Sequence, residues 1–148
     1  MMRLSLFAIA VLASATAQAG NWKPDSASGF RAASTMDKHG NQFGVTCKES
    51  GGACVWVIKT KKECRVAEQF DIKIITDGVP TPSKAQCFPR EGKDPAFFAI
   101  SNFDQIMQLI PLSKTLAFES DAQPLVNSGP FQVEDTDGVL ARLAEDTK

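Results

Sequence analysis

Apolar and polar residues alternate along most of this chain with the period of a half-buried β-strand. Over 42–48, Phe43, Val45 and Cys47 share one face while Gln42, Thr46 and Lys48 take the other, and over 70–76 Phe70, Ile72 and Ile74 alternate with Asp71 and Lys73. The stretch 53–59 is apolar on both faces, with Cys54, Trp56 and Ile58 opposite Val55 and Val57, which predicts a strand near the centre of a sheet. Further strands are expected over 30–35, 83–88, 96–100, 115–119 and 125–133. Gly129-Pro130 interrupts the last of these in the manner of a bulge or an edge. Turn signals separate them at Asp37-Lys38-His39-Gly40, at 49–52 and at Asp77-Gly78.

The period changes to that of a helix after Asn102. This residue is placed to cap a helix, with Asp104 in the first turn and Gln105 at the capping-box position. Phe103, Ile106, Met107 and Ile110 then fall on one face until Pro111 stops the run. A short final helix is expected to start at 135–137 and bury Val139, Leu140 and Leu143. Seven or eight short strands with one or two helices predict a mainly β fold, a β-sandwich decorated by short helices. An open sheet with helices on one face is the alternative.

The first residues do not belong to that pattern. Arg3 precedes a short apolar stretch at 4–12 broken only by Ser5, and Ala17-Gln18-Ala19 gives the small-x-small pattern of a signal-peptidase site. Residues 1–19 therefore read as a secretory leader, too short to span a bilayer, which takes about 20 apolar residues. Residues 20–148 are then a single exported domain, periplasmic or secreted, with no integral membrane segment after cleavage. Loss of Arg3 leaves 15 basic against 17 acidic residues. That balance, without an arginine stripe, speaks against nucleic acid as a partner.

Export gives the four cysteines an oxidising environment. Cys47, Cys54, Cys64 and Cys87 lack the paired spacing of a zinc ribbon or a redox motif, so two disulfides are expected rather than a metal site. A turn centred on Ser50-Gly51 sets Cys47 directly opposite Cys54, close enough to bridge, which leaves Cys64 for Cys87. A turn centred on Gly51-Gly52 would instead set Cys47 opposite Trp56. By chain entropy the short loop contributes about 2.5 kcal/mol and the longer one about 3.5 kcal/mol.

An early Trp22, the Cys47 to Cys54 segment followed by Val55-Trp56-Val57-Ile58, the strand at 72–75 with Asp77-Gly78, and Cys87 in the next strand together form a wider pattern. It continues through Phe103-Asp104, Leu116-Ala117-Phe118 and Ser128-Gly129-Pro130-Phe131 before the terminal helix. Over most of residues 20–148 this pattern resembles the invasion-associated locus B family of exported bacterial proteins. The resemblance implies a β-sandwich, no shared catalytic residues, and a link by name to host-cell invasion.

Candidate chemistry is sparse. Asp37, His39 and Ser50 supply the residue types of a hydrolytic triad, but two of them share one tight turn and no Gly-x-Ser-x-Gly elbow supports the serine. Acid pairs such as Asp135 with Asp137, or Glu91 with Asp94, sit where loops and helix starts ordinarily place carboxylates. No catalytic residue, metal ligand or cofactor is expected. The feature that points to a partner is the cation cluster Lys59, Lys61, Lys62 and Arg65, suited to an acidic protein surface or an anionic envelope polymer. Its competing reading is a solvated sheet edge guarded by lysines. The function expected is that of an exported, non-catalytic binding or structural protein with an envelope or extracellular protein partner. An inhibitor or immunity protein acting on an envelope enzyme is the alternative, and a small hydrolase stands behind both.

Overall fold

A computed structural model describes residues 22–27, 29–50 and 53–145, so the leader read over 1–19 lies outside the described residues. Nine strands form one antiparallel sheet: β1 Lys23–Ala27, β2 Phe30–Met36, β3 Gln42–Lys48, β4 Cys54–Lys59, β5 Gln69–Thr76, β6 Val79–Phe88, β7 Phe97–Ile100, β8 Thr115–Glu119 and β9 Ser128–Gln132. Two helices complete it, α1 Phe103–Leu109 and α2 Thr136–Glu145. The strand order is β1-β2-β3-β4-β7-β6-β5-β8-β9. Strands β5, β6 and β7 are consecutive hairpins, and β4 and β8 flank this trio after long connections. Each flank makes a Greek key.

The alternation explains how the sheet closes on itself. Inward positions are apolar throughout β3, β4, β7 and β8 and at Phe70, Ile72 and Ile74 of β5, and a sheet with one apolar face must cover it. Phe43 on β3 stacks on Trp56 of β4 at 5.2 Å between ring centres. It also meets Phe118 of β8 at 5.2 Å and Phe131 of β9 at 5.7 Å, strands far from it in the sheet order. The sheet therefore folds over into two facing layers, the expected sandwich, with Trp56, Ile58, Ile74, Phe98 and Leu116 fully enclosed between them.

Antiparallel order also sorts the connections. Those at 37–41, 60–68, 89–96 and 120–127 share one end of the sandwich, which we call the loop end. Both helices lie at the other end, where Phe103 of α1 stacks on Trp56 at 5.8 Å and Ile106 is wholly buried. Asn102 caps α1, its Oδ1 accepting the Gln105 N–H at 3.1 Å. The Gln105 side chain does not close a capping box. Its Nε2 donates instead to the Pro82 carbonyl at 2.9 Å, fastening the helix to β6.

Most strands fall where alternation placed them, and the departures have local causes. Strand β1 has no alternation and a proline, and it forms only as the outermost strand, paired along its whole length with β2. Strand β6 begins at Val79, before two prolines, because its Val79–Pro82 half has β5 as its sole neighbour: β7 pairs with β6 from Ala85 onward. The stretch 125–133 splits into a short 3-10 turn, Pro124–Val126, and the edge strand β9, with a register shift against β8 between Leu116 and Phe118.

Two aspartates in turns hold the free margin in place. Asp37, 7% exposed, accepts from the backbone N–H groups of His39 and Asn41 at 2.9 Å each and from Asn41 Nδ2 at 2.8 Å. It also accepts from the Gly129 N–H at 2.8 Å, across to β9. At the opposite end Asp77, at φ 47°, accepts from the Thr115 N–H at 2.9 Å and ties the β5–β6 turn to the start of β8. Burial pushes the Asp37 carboxyl up, but the hydrogen bonds from Gly129, Asn41 and His39 outweigh it and hold the group below its ordinary value of 3.8. Its stabilising effect is therefore present above the unfolded-state value and is lost as pH falls through the folded one. Asp37→Asn is expected to cost about 2 to 3 kcal/mol at pH 7, the scale for hydrogen bonds to a buried charged acceptor. In urea denaturation the gap from the parent protein should narrow below the ordinary aspartate range; a gap that persists unchanged there would refute this account.

Candidate functional site

The loop end carries the four cations singled out in the sequence. Lys59 closes β4, and Lys61, Lys62 and Arg65 follow on the β4–β5 connection, all exposed. Strand β4 lies between β3 and β7, and the margins of the sheet are β1 and β9. Guarding an edge strand therefore does not account for these lysines. The 60–68 connection instead runs past the ends of β7 and β6 to reach β5.

That connection is fixed at several points. Thr60 Oγ1 donates to the Lys62 carbonyl at 2.9 Å. Cys64 bridges to Cys87 at the end of β6, with Cα atoms 6.1 Å apart. Glu63 pairs with Arg90 through both guanidinium nitrogens, the Nε contact being 3.0 Å, which joins 60–68 to the 89–96 loop. The Arg90 hydrogen bond lowers the Glu63 carboxyl, and the same contact raises the Arg90 guanidinium. Lys61 packs its side chain over Gly40, where a Cβ would lie 2.9 Å from its Cε, so the 37–41 turn supports the cluster from the other side. The one carboxylate inside the segment 59–65 is thus engaged by Arg90. Among the described residues none of the four cations has an ion pair.

The second disulfide, Cys47 to Cys54, lies at the opposite end. Register sets the two residues directly opposite each other, Cα atoms 4.1 Å apart, as the turn centred on Ser50-Gly51 required. The same register extends the loop end onto the sheet. Met36, Gln42 and Lys59 are paired neighbours across β2, β3 and β4, and Phe97 pairs with Phe88 across β7 and β6. The β4–β7 register, Ile58 with Phe98, brings Lys59 beside Phe97. One outward row thus joins Lys59 to the stacked pair Phe88 and Phe97, whose rings are 4.9 Å apart. Sequence reading missed this row because it is assembled from five strands.

The residue types of a triad are not brought together. Asp37 spends its carboxylate on backbone N–H groups, including that of His39, and Ser50 lies at the other end of the sandwich. Among the described residues no three His, Cys, Asp or Glu side chains are grouped to hold a metal ion. An open groove of about 510 Å³ runs over β5, β6 and β8 past Asp71, Lys73, Ser83 and Glu119. Most of its charges are offset: Asp71 binds Lys84 at 2.7 Å, and Lys73 stands opposite Glu119, which leaves Asp121. Among the described residues no helix is long and apolar enough to cross a membrane. No family model, curated protein or solved structure matches the chain.

The staple makes a definite prediction for the loop. Replacing Cys64 and Cys87 together with Ser should lower stability by about 3.5 kcal/mol. It should also open 60–65 to trypsin at Lys61, Lys62 and Arg65, while the oxidised parent resists. Mass mapping of the first cut decides it; equal cleavage of parent and variant would show that the disulfide does not hold the loop.

Proposed function

We propose that this chain is an exported, non-catalytic binding protein of the bacterial periplasm or cell envelope that engages an acidic protein partner through its stapled basic loop. The observation that carries the reading is the loop itself. Four cations with no ion pair among the described residues stand on a segment held by a disulfide, a two-point arginine pair and a packed turn. Ordering flexible side chains and loops is a main cost of association, and a loop already fixed avoids much of it. Clustered like charges raise the association rate with an oppositely charged surface and exclude like-charged competitors. Two disulfides accord with an oxidising compartment, in keeping with the leader at the start of the chain.

A second reading, inhibition of an envelope-acting enzyme, draws on the same rigidity. A short protruding segment tied at both sides is the form of a plug, and such an inhibitor would hold its enzyme one to one.

Lys61→Glu with Lys62→Glu should leave folding intact, since both side chains are exposed. It should weaken partner capture at least tenfold, about 1.4 kcal/mol, in cross-linking of the oxidised protein within intact envelope. Undiminished capture would remove the loop from the interface. Turnover of substrate by an enzyme that the captured chain blocks would select the inhibitor reading.

A further inference from the structure

The two halves of the sheet treat their outward positions differently. On β5 and β8 the outward residues include Gln69, Asp71, Lys73 and Glu119, as expected of a face in water. On β2, β3, β4 and β7 the next outward row reads Ser34, Gly44, Val57 and Ala99, matched by register. Beyond it come Ala32, Thr46 and Val55. Seven adjoining outward positions carry no charge, although alternation puts them on the solvent side. This is why β4 reads as apolar on both faces: one face fills the core, and the core does not need the other.

The surface has a defined shape. A dent of about 40 Å³ opens over Gly44, between Ser34, Thr46, Val57 and Lys59. A Cβ at Gly44 would lie 2.5 Å from the Ala33 carbonyl oxygen and 2.9 Å from the Ser34 Cβ, so no side chain is accommodated there and the dent stays open. By register Lys23 lies beside Ser34 and Asp25 beside Ala32 along the β1 margin, while the cations Lys48 and Lys59 close the helix end of β3 and the loop end of β4.

We infer that this uncharged face of β2, β3, β4 and β7 is the centre of the partner interface, with the basic loop as its rim. The inference rests on the recognition function proposed above and specifies the partner's surface. The matching surface is flat and apolar at its middle and carries carboxylates where it meets Lys59, Lys61 and Lys62. Seven outward positions, at about 4.8 Å between strands and about 6.8 Å between rows, cover roughly 230 Å². A stable interface takes about 800 Å² from each side. The face alone is too small, so the contact extends over the adjoining row through Gln42, Lys59 and Phe97 and onto the basic loop. A second copy of this chain does not fit. Its face carries the same basic rim, Lys59, Lys61 and Lys62, in place of the carboxylates called for, and like charges in an interface are strongly disfavoured.

Photo-cross-linking with benzoylphenylalanine at Thr46, at Lys62 and at Lys73 of the full exported chain tests this, with products identified by mass. The expected result is one and the same acidic protein joined through Thr46 and Lys62, at least tenfold above the yield from Lys73, and lost from Thr46 in the Lys61→Glu, Lys62→Glu variant and from Lys62 when Lys61→Glu is added. A partner joined through Lys62 but not Thr46 would overturn the inference and leave the loop reading standing. Products of twice the chain mass, or lipid adducts at Thr46, would overturn it in favour of self-association or a membrane surface. No product from either site would refute the recognition function itself.

Discussion

The contact on which the fold depends is the meeting of Phe43 with Phe118 and Phe131. A nine-stranded sheet with apolar residues on its inward positions cannot remain open in water, since burial is worth roughly 25 cal/mol per Å² of apolar surface. Phe43 is where the two ends of the strand order come together, and it also stacks on Trp56 and touches Trp22 at 6.2 Å. Hydrophobic contact alone does not fix how far the layers close. Asp37, reaching from the β2–β3 turn to the Gly129 N–H, supplies a directional bond at that seam.

Closure divides the molecule by function. The helix end is devoted to covering the core, with Phe103, Ile106 and Ile110 packed over it. The loop end is left to display side chains, and its strongest features are braced from several sides. Cys64, Glu63 and Lys61 each anchor the same short connection to a different neighbour, so the closely spaced cations Lys59, Lys61, Lys62 and Arg65 are presented on a rigid support. Rigidity of this kind suits recognition, where the loss of loop freedom on binding is otherwise a cost.

The outward sheet faces carry a second division. Along β5 and β8 these faces include Asp71, Lys73 and Glu119, whereas between their strand ends β2, β3, β4 and β7 present Ala, Gly, Ser, Thr and Val. Such a face gains nothing from water, and the cations Lys48 and Lys59 close its two strand ends. Loop and face adjoin at Lys59, which belongs to both.

Much of this was legible in the chain. Strict alternation over 42–48 and 70–76, turns at Asp37 and Asp77, the Asn102 cap and the spacing of Cys47 and Cys54 determined strands, reversals, a helix start and a disulfide, because each depends on residues near one another in sequence. The prolines of β6 and the featureless β1 were not legible, since whether a proline is tolerated depends on which neighbours a strand has. The seam at Phe43, the bond from Asp37 to Gly129, the interior position of Lys59 and the row joining it to Phe97 and Phe88 were decided by tertiary structure alone. They arise from strands up to ninety residues apart, and a local pattern of apolar and polar residues fixes which side of a strand faces inward but not which strand lies beside it.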